Sequence, residues 1–135
     1  MPEPLRYSRL WWGLGAGLLS VILIVSLWPL AEQQDAPPHS DKVLHAMTFA
    51  FLFIWFAGLA ERGRRWQVFT GLLVYGLLME VLQSLTPYRH MSVGDFLADA
   101  AGLGAGWLLC LAGLGGWAVR VEASLLAANK IGPDS

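Results

Sequence analysis

Four apolar runs, each close to or above the ~17 residues that a helix needs to cross a bilayer, fill most of the chain. They lie at about Leu10 to Leu30, Val43 to Ala60, Trp66 to Leu85 and Phe96 to Val119. Lipid offers the backbone no hydrogen-bond partners, so a run of this length must satisfy its own N–H and C=O groups as an α-helix. The expected fold is therefore all-α: a polytopic membrane protein built as a bundle of four transmembrane helices. Composition agrees, with 56% of the 135 residues hydrophobic and 14% charged, against about 25% charged in soluble domains. The net charge of -1 leaves no basic face to neutralise phosphates, which argues against a nucleic-acid partner. Cys110, the single cysteine, excludes an intramolecular disulfide and a multi-cysteine metal site. It reads as a small apolar packing residue. The first run follows Arg6 and Arg9 like a secretion signal. It is too long for one, and Trp28-Pro29-Leu30-Ala31 lacks a small-x-small cleavage pattern.

The basic residues set an orientation. With a cytoplasmic N-terminus, Arg6, Arg9, Arg62, Arg64, Arg65, Arg120 and Lys130 lie inside, and only Lys42 and Arg89 lie outside. That bias puts both termini in the cytoplasm. Trp11, Trp12, Trp66 and Trp117 then form an inner aromatic belt, and Trp28 sits at the outer interface. The chain divides into a cytoplasmic N-terminus (1–9), a four-helix membrane domain (10–119) and a cytoplasmic tail (120–135), which can form a short surface helix through Leu125 and Leu126. The expected location is a membrane crossed several times, with membrane lipid as the surrounding partner.

Between the runs, Ala31 to Ser40 carries Glu32, Gln33, Gln34, Asp35, Pro37 and Pro38 and reads as a solvated loop held extended by its prolines. Ser40 or Asp41 is placed to cap the second helix. The short turn from Glu61 to Arg65 makes helices two and three antiparallel neighbours. Pro87 closes the third helix, and Ser92 with Asp95 has capping-box spacing before the fourth. Gly13 with Gly17, and Ala98, Gly102 and Gly106, form rows of small residues that let helices approach closely in lipid. Packing within one bundle is the simpler use of these rows; a homodimer is the alternative.

Three polar clusters stand at the outer helix ends: Asp41 and Lys42 with His45, Glu80 with Gln83, and Arg89 through Asp95 to Asp99. The four-residue spacings of Asp41/His45 and Asp95/Asp99 put each pair on one helix face. At 1.5 Å rise per residue, Glu80 lies roughly 8 Å below its helix end, and His45 and Asp99 about 4 to 6 Å below theirs. A charged Asp at the centre of a membrane helix costs about 2.5 to 3.5 kcal/mol, and less towards the ends. Glu80 and Asp99 are thus expected to turn inward towards Lys42, His45 or Arg89, with Gln83 donating to a neighbouring carboxylate. Asp41 and Asp95 have a simpler use as helix-terminal acids, His45 as a satisfied packing residue, and Arg89 as a headgroup anchor.

Asp41-Lys42-x-x-His45, then Glu80-x-x-Gln83 with Pro87 and Arg89, then Ser92-x-x-Asp95-x-x-x-Asp99-x-x-Gly102 with Gly106, in this order, resemble the VanZ-like family of bacterial membrane proteins. The resemblance spans about residues 40 to 107. Many members carry Asn where this chain has Asp99, so the cluster here holds an additional acid. The resemblance implies a multi-pass integral protein of the bacterial cytoplasmic membrane, part of the cell envelope, in a family named for a member that lowers susceptibility to the glycopeptide antibiotic teicoplanin.

From the residues, the first functional reading is a binding protein whose outer pocket takes the headgroup of an envelope lipid or amphiphile. Lys42, Arg89 and protonated His45 would meet phosphate or carboxylate, and Glu80, Gln83 and Asp99 sugar or amide groups, with Asp41 and Asp95 counted among the binding residues. The alternative is an intramembrane hydrolase or transferase with His45 as base and Glu80 or Asp99 as acid or cation ligand. No H-E-x-x-H motif, serine elbow or phosphate-cradling glycine loop supports catalysis, and no cofactor or resident metal is assigned. Ion conduction would need polar groups across the whole membrane, whereas the inner helix halves hold only Thr48, Thr70 and Tyr75.

Overall fold

The computed structural model describes residues 4–29 and 39–132; of the expected loop from Ala31 to Ser40, all but His39 and Ser40 lies outside them. The order of elements is α1 (Ser8–Leu27), α2 (Ser40–Leu59), a 3-10 turn (Arg62–Arg64), α3 (Arg65–Ser84), α4 (Val93–Leu111), a second 3-10 turn (Leu114–Gly116) and α5 (Trp117–Lys130). Helices α1 to α4 are each long and apolar enough to cross a membrane. The described residues are all-α, with four candidate membrane helices and a shorter fifth.

One helix cap and one helix end differ from the sequence reading. α2 begins at Ser40, so the residue in the capping position is His39, in the left-handed region at φ 65° and without a side-chain cap. Asp41 instead sits inside the first turn, where an acid complements the helix dipole, 3.6 Å from Lys42. The fourth helix ends at Leu111 rather than Val119. Gly113, at φ 125°, takes a conformation that side chains resist and breaks the helix there. The chain then folds back as α5. Trp117 donates its indole N–H to the Ile54 carbonyl at 2.9 Å, and a Cβ at Gly58 would run into that ring.

The tightest packing joins α2 and α4. A Cβ at Gly102 would overlap the Ala46 carbonyl oxygen, and one at Gly106 would lie 2.8 Å from the Ala50 carbonyl. Residue numbers rise together along both helices, Ala46 with Gly102 and Ala50 with Gly106, so the two helices run parallel. Around this seam pack Phe49, Leu52, Phe53 and Leu103, all at most 1% exposed, with Phe53 stacked on Trp107 at 5.3 Å. α3 completes the core through Leu72 and Met79.

α1 is attached differently. Gly15 is its only buried residue; Leu18, Leu19, Ile22 and Leu23 pack against the core from one side, and polar side chains from elsewhere in the chain reach its backbone. Tyr75 donates to the Leu19 carbonyl at 2.6 Å, Gln83 to the Ser26 carbonyl at 3.1 Å and Tyr88 to the Leu27 carbonyl. At its other end the Glu122 carboxylate accepts from the Arg6 and Tyr7 backbone N–H groups at 2.8 and 2.9 Å and from the Trp11 indole at 2.8 Å. Burial opposes the charge on Glu122, but these three donors and the Arg6 charge together hold its carboxyl below the usual glutamate range. The helix is therefore tied at both ends by side chains that satisfy its unpaired terminal groups.

Gly102 and Gly13 make a contrasting pair. Gly102→Val should lower unfolding stability in detergent by more than about 2 kcal/mol through overpacking against backbone. Gly13, with open space around its Cα, should accept Ala within about 1 kcal/mol. Equal effects at the two positions would contradict the α2–α4 seam.

Candidate functional site

The parallel run of α2 and α4 places both helix N-termini at one end of the bundle, and antiparallel α3 brings its C-terminal turns to the same end. Polar residues from three helices meet there. Just above the Ala46/Gly102 contact, His45 Nδ1 lies 2.7 Å from Asp99 Oδ1. A further turn up, Lys42 donates to Asp95 Oδ1 at 3.1 Å. His45 Nε2 is 3.9 Å from the other Asp95 oxygen. Both ion pairs join α2 to α4.

Glu80 enters from α3. Its Oε2 accepts the Ser92 backbone N–H at 3.1 Å, the donor that a complete capping box would give to the side chain three residues on. The other half of the box is present, since Ser92 Oγ accepts from the Asp95 N–H at 3.2 Å. By replacing Asp95 as the acceptor, Glu80 leaves the Asp95 carboxylate to Lys42. A single loop residue thus couples α3, α4 and α2.

Glu80 and Asp99 are fully buried at 0% exposure. Among the described residues, Glu80 Oε1 and Asp99 Oδ2 have no hydrogen-bond partner. Gly76 makes the room: a Cβ there would come within 2.9 Å of Asp99 Oδ2. His45, Glu80 and Asp99 each offer an atom within 4.8 Å of the other two.

Gln83 departs from expectation. Rather than donating to a carboxylate, it turns to the Ser26 carbonyl, where α1 ends with unpaired acceptors. Arg89 approaches the same carbonyl at 3.4 Å. These two residues thus serve α1, and with it they form the wall of a cavity of about 730 Å³. Asp41, His45, Gln83 and Arg89 line it, facing Val21, Val25, Leu44 and Met79. Lys42, Glu80, Asp95 and Asp99 are not on its wall. His45 belongs to both the cavity and the buried cluster.

Two features had no signal in the sequence. Glu122 lies in the tail, outside every motif. A second cavity of about 480 Å³ opens at the opposite end of α1 beside Trp12, Phe56, Glu61, Arg64 and Gln67. It depends on how α1 leans across α2 and α3, which residue spacing does not encode.

Removing one partner of a buried pair leaves a charge without compensation, at a cost of about 3 to 5 kcal/mol. Asp99→Ala should therefore destabilise strongly, and His45→Ala with Asp99→Ala should cost clearly less than the sum of the single changes. A thermodynamic cycle with no coupling between the two positions would contradict a joined cluster.

A family model for VanZ/LLP1 matches residues 9–114. No curated protein and no solved structure matches the chain.

Proposed function

The chain belongs to the VanZ/LLP1 family, and from that premise we propose that it is a multi-pass protein of the bacterial cytoplasmic membrane whose polar end faces outward and binds the headgroup of an envelope lipid or amphiphile. The cavity between α1, α2 and α3 carries this reading. Its volume, about 730 Å³, falls within the roughly 300–1,000 Å³ range of small-molecule sites. One wall is apolar and laterally exposed, with Val21, Val25 and Leu44 each more than half accessible. That wall suits an acyl chain arriving from lipid. The other wall holds Arg89, whose planar guanidinium matches phosphate or carboxylate, and His45, Gln83 and Asp41 for hydroxyl, amide or amine groups. The orientation follows the clustering of arginines at the opposite end.

An acylated glycopeptide of the teicoplanin type has the same two-part chemistry, an apolar chain and a polar head. An effect on susceptibility would follow from engaging such a molecule, or the envelope lipid it targets, in this cavity.

Native mass spectrometry of the purified protein should show a retained anionic amphiphile. Arg89→Ala should reduce its occupancy about tenfold, the loss of one charge-assisted hydrogen bond, and Leu44→Trp should do so by filling the cavity. The site should be open to the outside, so a cysteine at Tyr88 should react with an impermeant thiol reagent in intact cells and one at Gly63 should not. Unchanged occupancy in both cavity variants, at normal insertion, would defeat the proposal.

A further inference from the structure

The geometry assigns a divalent-cation site to His45, Glu80 and Asp99, for a metal of the zinc or manganese class. It rests on the cluster alone, whatever occupies the cavity. One imidazole nitrogen and two carboxylate oxygens from three different helices lie within 4.8 Å of one another. A tetrahedral ion with bonds of about 2.1 Å sets its ligands about 3.4 Å apart, so closing on an ion requires only a small inward adjustment of side chains.

The oxygens without partners point to an occupant. Glu80 and Asp99 are both 0% exposed, yet each keeps one oxygen, Oε1 and Oδ2, without a hydrogen-bond donor among the described residues. An orphaned acceptor at such depth is costly, and packing would more easily have supplied an amide or an apolar side chain. The remaining oxygens are already held, Glu80 Oε2 by the Ser92 N–H and Asp99 Oδ1 by His45. Charge gives the same answer. Two buried carboxylates and a neutral imidazole carry two negative charges, which one dication cancels.

The surroundings also resemble those that metal-binding histidines use. In the His45–Asp99 ion pair the imidazole carries both ring protons. An ion on Nδ1 displaces the proton that Nδ1 gives to Asp99 Oδ1, which frees that oxygen as well, and the N–H left at Nε2 faces the Asp95 carboxylate 3.9 Å away. A ligating histidine commonly gives its second N–H to such a carboxylate, and Asp95 is itself fixed by Lys42. The imidazole selects against magnesium and calcium, which prefer oxygen alone, and the carboxylates select against copper(I). His45 also borders the cavity, which gives the ion an entry path.

Chelator-stripped wild-type protein in detergent, titrated separately with ZnCl2 and MnCl2, should take up one equivalent of metal per chain and unfold at a higher temperature. Glu80→Gln, close in shape, and Asp99→Asn should each weaken uptake at least about tenfold, whereas Arg89→Ala and His90→Ala should not. A loss of lipid in Arg89→Ala with metal retained would thus separate the two sites. Should the acid variants fail to fold, electron spin resonance of Mn2+ on 15N-histidine-labelled protein carrying His39→Ala and His90→Ala supplies an independent readout, a nitrogen coupling from the remaining His45. No uptake by wild type at micromolar free metal, uptake equal in Glu80→Gln and Asp99→Asn, or Mn2+ bound without a histidine nitrogen would overturn the assignment.

Discussion

The approach of the α2 and α4 backbones at Gly102 and Gly106 is the constraint on which the polar end depends. Lipid gives no hydrophobic drive for helices to associate, so van der Waals contact between small residues must supply the attraction. At these glycines a side chain would meet the backbone of Ala46 and Ala50. Parallel helices in that register place His45 opposite Asp99 and Lys42 opposite Asp95. Both N-termini then point their positive ends towards the acids at the top of the bundle. Antiparallel α3 delivers Glu80 to the same place, and Gly76 leaves room for Asp99 beside it.

Acids at this depth are not stabilising in themselves. Taking charges out of water costs several kcal/mol per ion, and a well-packed apolar substitute is often neutral or better. That this chain places Glu80 and Asp99 with 0% exposure, and leaves one oxygen of each unused, favours a functional reason for keeping them. The cavity beside His45 and the cation site beneath it share that residue. A change in either would be felt by the other, through the imidazole and the Asp95 carboxylate it faces.

Local chemistry was readable in the sequence where it depends on spacing along one helix. Apolar run length gave the four membrane helices, and four-residue intervals put Asp41, His45, Asp95 and Asp99 on shared faces. Ser92 was readable as a cap because the N–H that its hydroxyl accepts, that of Asp95, lies three residues away. Contacts between helices were less legible. Gln83 could have served a carboxylate or a carbonyl, and only the end of α1 beside it decides for Ser26. Glu80 displaces Asp95 from the capping box through a contact twelve residues away. Glu122 reaches the start of α1 across more than a hundred residues. The break after Leu111 had a local cause in Gly113, but the apolar character of Leu114 to Val119 outweighed that single glycine when the run was read as one helix.

Helix approach in lipid brings His45 and Asp99 into one buried site. Solid-state NMR on protein in bilayers, with 15N at the His45 ring and 13C at the Asp99 carboxyl, measures that contact directly. A hydrogen bond between them sets Nδ1 about 3.5 Å from the carboxyl carbon, and a shared cation would keep the two similarly close. Strong dipolar dephasing at that distance is the result expected. A separation beyond about 6 Å, outside the reach of a hydrogen bond or a shared ion, would contradict the site.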